Sequence, residues 1–329
     1  MSVEGDRLKA LRFEGPEAIP VSVGILPAAW MKQREALDEL VHRYPEVCGG
    51  QAQDDRDYEA VGGTYVSGDH VDAWGCVWQN VHTGMESIVT GHPVPRREDI
   101  RTLTAPEQDV GTPHGFMYLR LQDLRGFEEL MLDFAEEPPE LQRLIDTVLE
   151  YNLRQVRLSL EAAGSAGPGS EADAGRIFYF GDDLGMQDAL PMSPSKWRRY
   201  LKPCFEQIYR PIKEAGHYVY MHTDGHIAEI IGDLKDCGVD VVNPQIGANG
   251  FDALEEVAKG RICVDLDLDR QMMPFWTPAD IDAHVREAVE RLGSREGGLW
   301  LKAEIGDDVP LANAEAVFSA LEKYRFHYA

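Results

Sequence analysis

The sequence predicts an α/β fold, a (β/α)8 barrel formed by residues 1–329 as a single domain. From residue 176 onward, short apolar runs of strand type alternate with helical patterns at a spacing of roughly 25–40 residues. Parallel strands joined by crossover helices produce this rhythm. A Rossmann sheet would share it, but no G-x-G-x-x-G motif follows an early strand. A barrel is therefore the favoured arrangement.

The second half supplies five strands and the helices that follow them. The strands are predicted at residues 176–180, 217–221, 239–243, 261–265 and 299–302. The helices are predicted at residues 194–215, 227–236, 251–259, 278–292 and 312–324. Thr277 is a favourable N-cap with Pro278 at the first helical position, and Gly293 suits the end of the same helix.

The first half is less regular. It begins with a predicted strand at 21–25 and a helix at 32–44, and residues 50–95 are predicted to form loops and short β-hairpins. The expected hairpin strands lie at residues 62–66, 73–78 and 87–90, followed by a strand at 116–120 and helices at 126–136 and 139–163. The stretch 164–175, rich in Gly, Ala and Ser, is expected to be a flexible loop within the domain.

Composition excludes several classes of partner. Acidic residues outnumber basic ones by 57 to 32, giving a net charge of −25, so nucleic acids and anionic membranes would be repelled. The sequence contains no apolar stretch of about 18 residues and no N-terminal signal-peptide pattern. An odd cysteine count without a C-x-x-C pair favours reduced thiols in the cytoplasm. These cysteines are Cys48, Cys76, Cys204, Cys237 and Cys263.

Polar side chains follow the apolar runs at six predicted strand ends, where a barrel places its active site. The residues are Arg120, Gln122 and Asp123; Asp182 and Asp183; His222, Asp224 and His226; Asn243 and Gln245; Asp265 and Asp267; Lys302 and Glu304. One such residue means little, but six strand ends that all carry them indicate a site. From this group and the aromatic residues we predict a substrate-binding set of Trp74, Tyr118, Arg120, Asn243, Gln245 and Asp265.

The densest cluster is His222-x-Asp224-x-His226. Two imidazoles and a carboxylate at a strand end can bind a divalent metal, completed by a carboxylate from another strand such as Glu304. The alternative is structural: a core hydrogen bond for His222, a helix cap for Asp224 and a solvated His226. Glu304 could equally be a surface residue of the loop that follows it.

The adjacent pair Asp182 and Asp183 suggests acid–base chemistry, because neighbouring carboxylates resist double ionisation and one pKa rises. A turn aspartate with a solvated neighbour would give the same sequence. Trp74, Trp78 and Tyr65 could line an aromatic wall for a flat substrate, although such residues more often form hairpin core.

Four segments resemble the uroporphyrinogen decarboxylase superfamily, and most closely its branch of cobalamin-dependent methyltransferases. They are FGDDLG at 180–185, MSPSKWRRYLKP at 192–203, GHYVYMHTDG at 216–225, and residues 233–245. The D-x-W-G-x-x-W stretch at 72–78 and residues 297–313 also resemble members of that branch. The resemblance spans roughly residues 70–325 and implies a uroporphyrinogen decarboxylase-like barrel with a deep cleft at its carboxyl end.

Two departures from that family change the expected chemistry. The decarboxylases carry an R-Q-A-G-R segment whose arginines hold porphyrinogen carboxylates, whereas residues 24–30 here read GILPAAW. The related methyltransferases bind zinc through H-x-C and a late cysteine, but Asp224 and Ala303 stand at those cysteine positions. Soft thiolates suit activation of a thiol substrate, whereas a site of His, Asp and Glu suits water or an oxygen-bearing substrate, or binds no metal.

The resemblance therefore implies a methyltransferase-like enzyme that transfers or removes a methyl group of a small substrate. His222, Asp224 and Glu304 would bind a divalent metal such as zinc, Asp182, Asp183 and His222 would be catalytic, and a corrinoid on a partner protein would accept the methyl group. One alternative is a cofactor-free lyase that releases carbon dioxide from a carboxylated substrate. Another is a non-catalytic ligand-binding barrel.

Overall fold

The computed structural model describes residues 3–164 and 175–329. Most of the predicted loop at 164–175 lies outside these described residues. The chain forms two compact units. The terminal unit comprises Met1–Gly68, Asn80–Ser87 and Asn243–Ala329, and the central unit comprises Asp69–Gln79 and Ile88–Val242. No helix of the described part of the chain has the length and apolarity needed to cross a membrane.

The described strands, in chain order, are β1 (Val21–Ile25), β2 (Gly68–Val71), β3 (Val77–Asn80), β4 (Ile88–Gly91), β5 (Ile177–Gly181), β6 (Tyr218–Thr223), β7 (Val241–Pro244), β8 (Cys263–Asp267) and β9 (Leu299–Ile305). The described α-helices are α1 (Val3–Arg12), α2 (Pro27–Arg43), α3 (Pro45–Cys48), α4 (Tyr118–Arg125), α5 (Phe127–Glu136), α6 (Pro139–Gly164), α7 (Pro194–Tyr200), α8 (Lys202–Glu214), α9 (Ile231–Cys237), α10 (Ile246–Asn249), α11 (Phe251–Val257), α12 (Pro278–Leu292) and α13 (Leu311–Tyr324).

Parallel strands form the core of the terminal unit. β9 pairs with β1 on one side, Leu301 opposite Val21, and with β8 on the other, Trp300 opposite Asp265. Such strands are covered on both faces, which explains why they read as nearly continuous apolar runs in the sequence. Leu301 and Ala303 of β9 are fully buried.

The central unit pairs β5 with β6 in parallel, from Ile177 opposite Tyr218 to Gly181 opposite His222. Its longest helix, α6, buries Leu141, Leu144 and Val148, which recur at helical spacing on one face. In this unit β3 and β4 form an antiparallel pair. The alternation of strand and helix predicted for residues 176 onward is confirmed.

The predicted strand at 116–120 is wrong, because these residues enter helix α4. Phe116, Met117, Tyr118 and Leu121 are all buried. A short apolar run of this kind is compatible with either a strand or a buried helix face. The segment adopts the helical conformation because an aspartate from another segment accepts hydrogen bonds from the first backbone amides of α4, as described below.

Two of the three predicted hairpin strands need correction. Residues 62–66 contain the 3-10 helix Gly63–Tyr65, in which Gly63 has a positive φ of 61°. The strand predicted at 73–78 begins only at Val77, because residues 72–76 fold into a turn. The strand predicted at 87–90 is present as β4. The helix α1 was not anticipated from the sequence, and the long helix predicted at 194–215 is divided into α7 and α8 at Leu201.

The predicted helix start at Thr277 is confirmed. Its hydroxyl accepts a hydrogen bond from Asp280 N, and the Asp280 carboxylate accepts one from Thr277 N at 2.9 Å. We expect Thr277→Ala to lower the free energy of unfolding by about 1 kcal/mol, because Asp280 N at the N-terminus of α12 would lose its hydroxyl acceptor.

Urea unfolding measures this difference. Thr147→Ala serves as the control, because Thr147 lies inside α6 and its hydroxyl donates to the carbonyl of Arg143. Alanine is the better helix former at such a position, so no loss of stability is expected there. Equal losses in the two variants would contradict the capping role.

Candidate metal centre

The loops after β5 and β6 contact each other directly through their backbones. Gly185 N donates to Asp224 O at 3.1 Å, and His226 N donates to Met186 O at 2.7 Å. A Cβ atom on Gly185 would lie 2.4 Å from His226 N, and one on Gly225 would lie 2.3 Å from the carbonyl carbon of Gly185. Only glycine permits this approach, and it brings the FGDDLG and HTDGH segments together.

Further hydrogen bonds, made by backbone and side chains, connect these two segments. Asp182 N donates to His222 O at 3.0 Å, and Asp224 N donates to Asp183 Oδ1 at 3.0 Å. Leu184 N donates to the Thr223 hydroxyl at 2.9 Å. The positions of Asp183 and His222 are therefore fixed by a ladder of hydrogen bonds.

Three potential metal ligands converge at this place: His114, Asp183 and His222, called the ligand triad below. Asp183 Oδ1 lies 3.0 Å from His114 Nε2 and 3.9 Å from His222 Nε2. The three ligand atoms all lie within 4.8 Å of one another. Asp224 Oδ1 is a further oxygen, 3.3 Å from His222 Nε2. Two imidazoles with carboxylates form a donor set that binds divalent cations.

His114 is the residue that the sequence prediction missed. It follows no strand; it lies in the loop before α4, and Gly115 N anchors that loop by donating to Gly181 O at 2.8 Å. Gln155 holds the same loop at Gly111, where the Gln155 Oε1 accepts a hydrogen bond from Gly111 N. The His114 side chain is 51% exposed. Its sequence neighbours, Pro113 and Gly115, indicate a turn but not a metal ligand.

Asp182 is completely buried, and its carboxylate faces the first turn of α4. It accepts hydrogen bonds from Tyr118 N at 2.5 Å and from Leu119 N at 2.8 Å. Burial raises the pKa of Asp182 to about 7, although these two hydrogen bonds oppose the rise. The carboxylate satisfies helix amides that would otherwise lack partners. This placement favours a positioning role over the proton transfer predicted for Asp182.

Asp183 and His114 shift each other's ionisation in opposite directions. Burial would raise the pKa of Asp183, but the hydrogen bond from His114 and the positive charge of that ring outweigh it and lower the pKa below its usual value. The hydrogen bond to Asp183 raises the pKa of His114, and the charges of Asp182 and Asp224 add to this rise. The site is thus a concentration of negative charge that favours a cation.

Asp72 stabilises the fold of the D-x-W-G-x-x-W stretch. Its Oδ1 accepts hydrogen bonds from Trp74 N and Cys76 N, both at 2.9 Å, which creates the turn. Its Oδ2 accepts hydrogen bonds from Trp78 Nε1 at 3.1 Å and from Arg120 Nη1 at 2.6 Å. Asp72 therefore connects this turn to helix α4 and holds the buried guanidinium of Arg120.

Asp123 lies one turn after Arg120 on the same face of α4, with its Oδ2 3.8 Å from Arg120 Nη1. Burial raises the pKa of Asp123 to about 6, which the charge of Arg120 reduces and that of Asp72 increases. Asp123 follows the run 116–120, and the sequence marked it only as a polar residue.

The remaining predicted residues have the following places. Trp74 is buried edge-on against Tyr151, with ring centroids 5.0 Å apart, as expected for core. Trp78 stacks on His70. Tyr118 is buried in the first turn of α4, and its hydroxyl lies 3.4 Å from Gln122 Oε1.

Four predicted residues belong to the terminal unit. Asn243 is buried, donates to Asp265 O at 2.6 Å and accepts from Lys302 Nζ at 3.2 Å. Gln245 forms a parallel bridge with Asp267 at the end of β8.

The predicted metal ligand Glu304 accepts a hydrogen bond from Arg270 Nη1 at 2.6 Å. The triad that the structure brings together within the central unit contains His114 and Asp183 in addition to the predicted His222. His226, the second histidine of the sequence motif, places its Nε2 2.9 Å from Glu229 Oε2.

The cysteines do not contribute thiolates to this centre. All five are buried and none belongs to the ligand triad. Burial raises the pKa of Cys48, Cys76, Cys204 and Cys237 to about 12, so these thiols stay protonated. The donors present therefore do not fit a zinc–thiolate site, but their nitrogen and oxygen atoms fit a divalent cation.

Comparison with known proteins identifies the fold. The sequence profile of a family described as uroporphyrinogen decarboxylase (URO-D) matches residues 116–324, more than half of the chain. A methyltransferase from Methanosarcina mazei has a similar structure, with a TM-score of 0.65 and 19% sequence identity over 98% of this chain and 99% of that chain. These two findings confirm the predicted fold class, an α/β barrel of the uroporphyrinogen decarboxylase type.

Two dihydropteroate synthases show weaker structural similarity to the chain. The enzyme from Xanthomonas albilineans has a TM-score of 0.33 and 15% identity over 51% of this chain and 57% of that chain. The enzyme from Yersinia pestis has a TM-score of 0.35 and 20% identity over 53% of this chain and 64% of that chain. Neither value supports a structural argument. No curated protein sequence matches the chain.

The contact between Gly185 and Gly225 gives the first prediction for this centre. Gly225 has a φ of 81°, and a methyl group there would overlap the backbone of Gly185. We expect Gly225→Ala to reduce the free energy of unfolding by about 3 kcal/mol or more, because left-handed strain adds to the displacement of the neighbouring loop. Urea unfolding followed by circular dichroism measures the loss.

Gly216→Ala is the matched control. Gly216 has a similar φ of 79°, but no atom lies within 4 Å of the added methyl group. It should cost only about 1 kcal/mol of conformational strain. Equal costs for the two variants would show that the loop contact is not a close backbone approach.

The raised pKa of Asp123 predicts a pH-dependent stability. Between the pKa of an unfolded aspartate, about 4, and the folded value of about 6, the folded protein binds more protons than the unfolded chain. The contribution of Asp123 to the free energy of unfolding therefore falls as pH rises through this window, by on the order of 2–3 kcal/mol.

Comparison of wild type with Asp123→Asn by urea unfolding between pH 4 and pH 7.5 isolates this contribution. The variant lacks the titrating group, so its stability relative to wild type should increase across that range. Glu150→Gln, at an exposed position of α6, controls for the loss of a surface carboxylate. Parallel pH profiles for wild type and Asp123→Asn would refute the assignment.

Proposed function

Because this chain belongs to the uroporphyrinogen decarboxylase family, we propose that it is a metal-dependent, methyltransferase-like enzyme of that family, acting on a small methylated substrate. The observation that carries the proposal is the ligand triad of His114, Asp183 and His222. It lies at the carboxyl ends of β5 and β6 and in the loop before α4, where barrel enzymes bind substrates.

The triad would hold a divalent metal, with zinc as the first candidate, and Asp224 would supply a nearby carboxylate. When bound there, the metal would act as a Lewis acid toward an oxygen or nitrogen atom of the substrate. The protein residues create the conditions for this. Asp183 and Asp224 provide the charge that compensates a dication, and the glycine-mediated loop contact keeps them in place.

Asp182 contributes by orientation. Its carboxylate holds the first amides of α4, which fixes the segment that begins at His114. His114 Nε2 and Asp183 Oδ1 share a hydrogen bond of 3.0 Å. Metal binding needs the neutral imidazole, so a metal would compete with the proton, whose affinity for His114 the hydrogen bond to Asp183 increases.

The absence of a thiolate from the triad argues against transfer of a methyl group to a metal-activated thiol. Transfer from an O-methyl or N-methyl donor to a corrinoid on a partner protein is compatible with a nitrogen and oxygen site. The full-length similarity to a methyltransferase is consistent with this reaction.

Metal analysis tests whether the ligand triad binds a metal ion. We expect the purified protein, after loading and dialysis, to retain one equivalent of zinc by inductively coupled plasma mass spectrometry. His114→Ala, Asp183→Asn and His222→Ala should each weaken the affinity by more than about 10-fold in calorimetric titration, because each removes a ligand. His42→Ala is the control, since His42 is an exposed histidine next to the exposed Asp54.

Activity is tested with a panel of O-methyl and N-methyl compounds and free cob(I)alamin as the acceptor, followed by its change in absorption. Turnover should require the metal and fall to background in His222→Ala. Full activity in the presence of a strong chelator would refute the metal role. Release of carbon dioxide from carboxylated substrates, without methyl transfer, would assign the lyase activity instead.

A further inference from the structure

Helix α4 carries two buried arginines that differ in how their nitrogens are satisfied. Arg125 is 2% exposed, and each of its nitrogens has an acceptor. Its Nε donates to Asp133, its Nη2 to Glu129 and its Nη1 to backbone carbonyls including Pro95 O. Arg125 is thus a structural arginine whose hydrogen-bonding capacity is filled by the protein.

Arg120 is bonded on one side only. Its side chain is 8% exposed, and its Nη1 makes the contacts: 2.6 Å to Asp72 Oδ2, 3.7 Å to Cys76 Sγ and 3.8 Å to Asp123 Oδ2. Within residues 3–164 and 175–329, neither Nε nor Nη2 of Arg120 donates to a protein acceptor. Both nitrogens retain some accessible surface, since neither is among the fully buried atoms that lack partners.

The open side of Arg120 has a defined shape. Nε and Nη2 form one edge of the planar guanidinium and present parallel N–H groups, the arrangement that binds a carboxylate through both of its oxygens. Because Asp72 holds Nη1, the orientation of this edge is fixed before any ligand arrives. A largely buried charged group with unfilled donors is exceptional in a folded protein, and such exceptions concentrate at binding sites.

Arg120 is also connected to the ligand triad. The segment from His114 to Leu119 is held along β5 and its following loop, through Gly115 N to Gly181 O and through the amides of α4 to Asp182. Arg120 is the next residue of that segment. The charges of Arg120 and His114 both lower the pKa of Asp123, so both groups act electrostatically on the same carboxyl.

We propose that the substrate carries a carboxylate, which Arg120 binds through its Nε and Nη2 edge, while the methylated end of the substrate lies toward the ligand triad. This proposal deepens the function proposed above by naming the substrate class. Trp74 and Asp72 support it indirectly, because the turn they form fixes the guanidinium.

The test uses matched pairs of probes: methoxyacetate against methoxyacetamide, and N,N-dimethylglycine against its amide. Affinities are measured by ligand-observed NMR titration on chelator-treated and on zinc-loaded protein. In wild type the acid should bind at least about 10-fold more tightly than the amide, because only the acid accepts two charge-assisted hydrogen bonds.

Arg120→Lys is the decisive variant. Lysine can still form an ion pair with Asp72, so the fold should persist, but it lacks the bidentate edge. The preference for acid over amide should fall to about 2-fold or less in this variant. Arg157→Lys, at an exposed position of α6, is the matched control and should keep the wild-type preference. Thermal unfolding of each variant checks that the fold is retained.

Equal binding of acid and amide by wild type, or no binding of either acid at millimolar concentration, would overturn the proposal. A preference that survives in Arg120→Lys would also overturn it, because another group would then recognise the carboxylate. The measurement on chelator-treated protein does not depend on a metal. If the protein binds no metal but still prefers the acid, only the function proposed above is refuted. If the protein binds the metal but shows no preference for the acid, only this inference is refuted.

Discussion

The candidate site depends on the close backbone contact between the loops that contain Gly185 and Gly225. Any side chain at either position would occupy the space of the other loop. Sheet pairing places the end of β5 next to the end of β6, and the glycine contact packs the two following loops against each other. The positions of Asp183 and His222 thus depend in part on two residues that have no side chain.

A second constraint is the buried carboxylate of Asp182. It occupies the position of a helix cap supplied from a distant part of the chain, and its two hydrogen bonds place the start of α4 against β5. His114 lies before that start, and Arg120 and Asp123 lie after it. One buried carboxylate therefore determines where a potential metal ligand, an arginine and a perturbed carboxyl are presented. Neighbouring aspartates consequently have different tasks: Asp182 organises the backbone, and Asp183 faces the two histidines.

The chemistry of the centre differs from what the family resemblance suggests. The resemblance points to thiolate ligands, yet the described thiols are buried and none belongs to the ligand triad, which consists of imidazoles and a carboxylate. Replacement of soft by hard ligands changes which substrate atoms a metal could activate, from sulfur toward oxygen and nitrogen. The same fold can therefore present a different set of donor atoms at its strand ends.

The sequence by itself determined the fold class, because periodic apolar runs and caps such as Thr277 are local signals that record which face of each element is buried. It also marked Asp183, His222 and Asp224, since polar residues at strand ends are recognisable from the strands. It did not find His114, because the imidazole reaches the site only through long-range hydrogen bonds between its loop and β5. Nor could it separate helix from strand at 116–120, or the fully buried Asp182 from the partly buried Asp183. Those distinctions depend on contacts between residues roughly 40–70 positions apart in the chain, which local sequence patterns do not encode, and only the tertiary structure decided them.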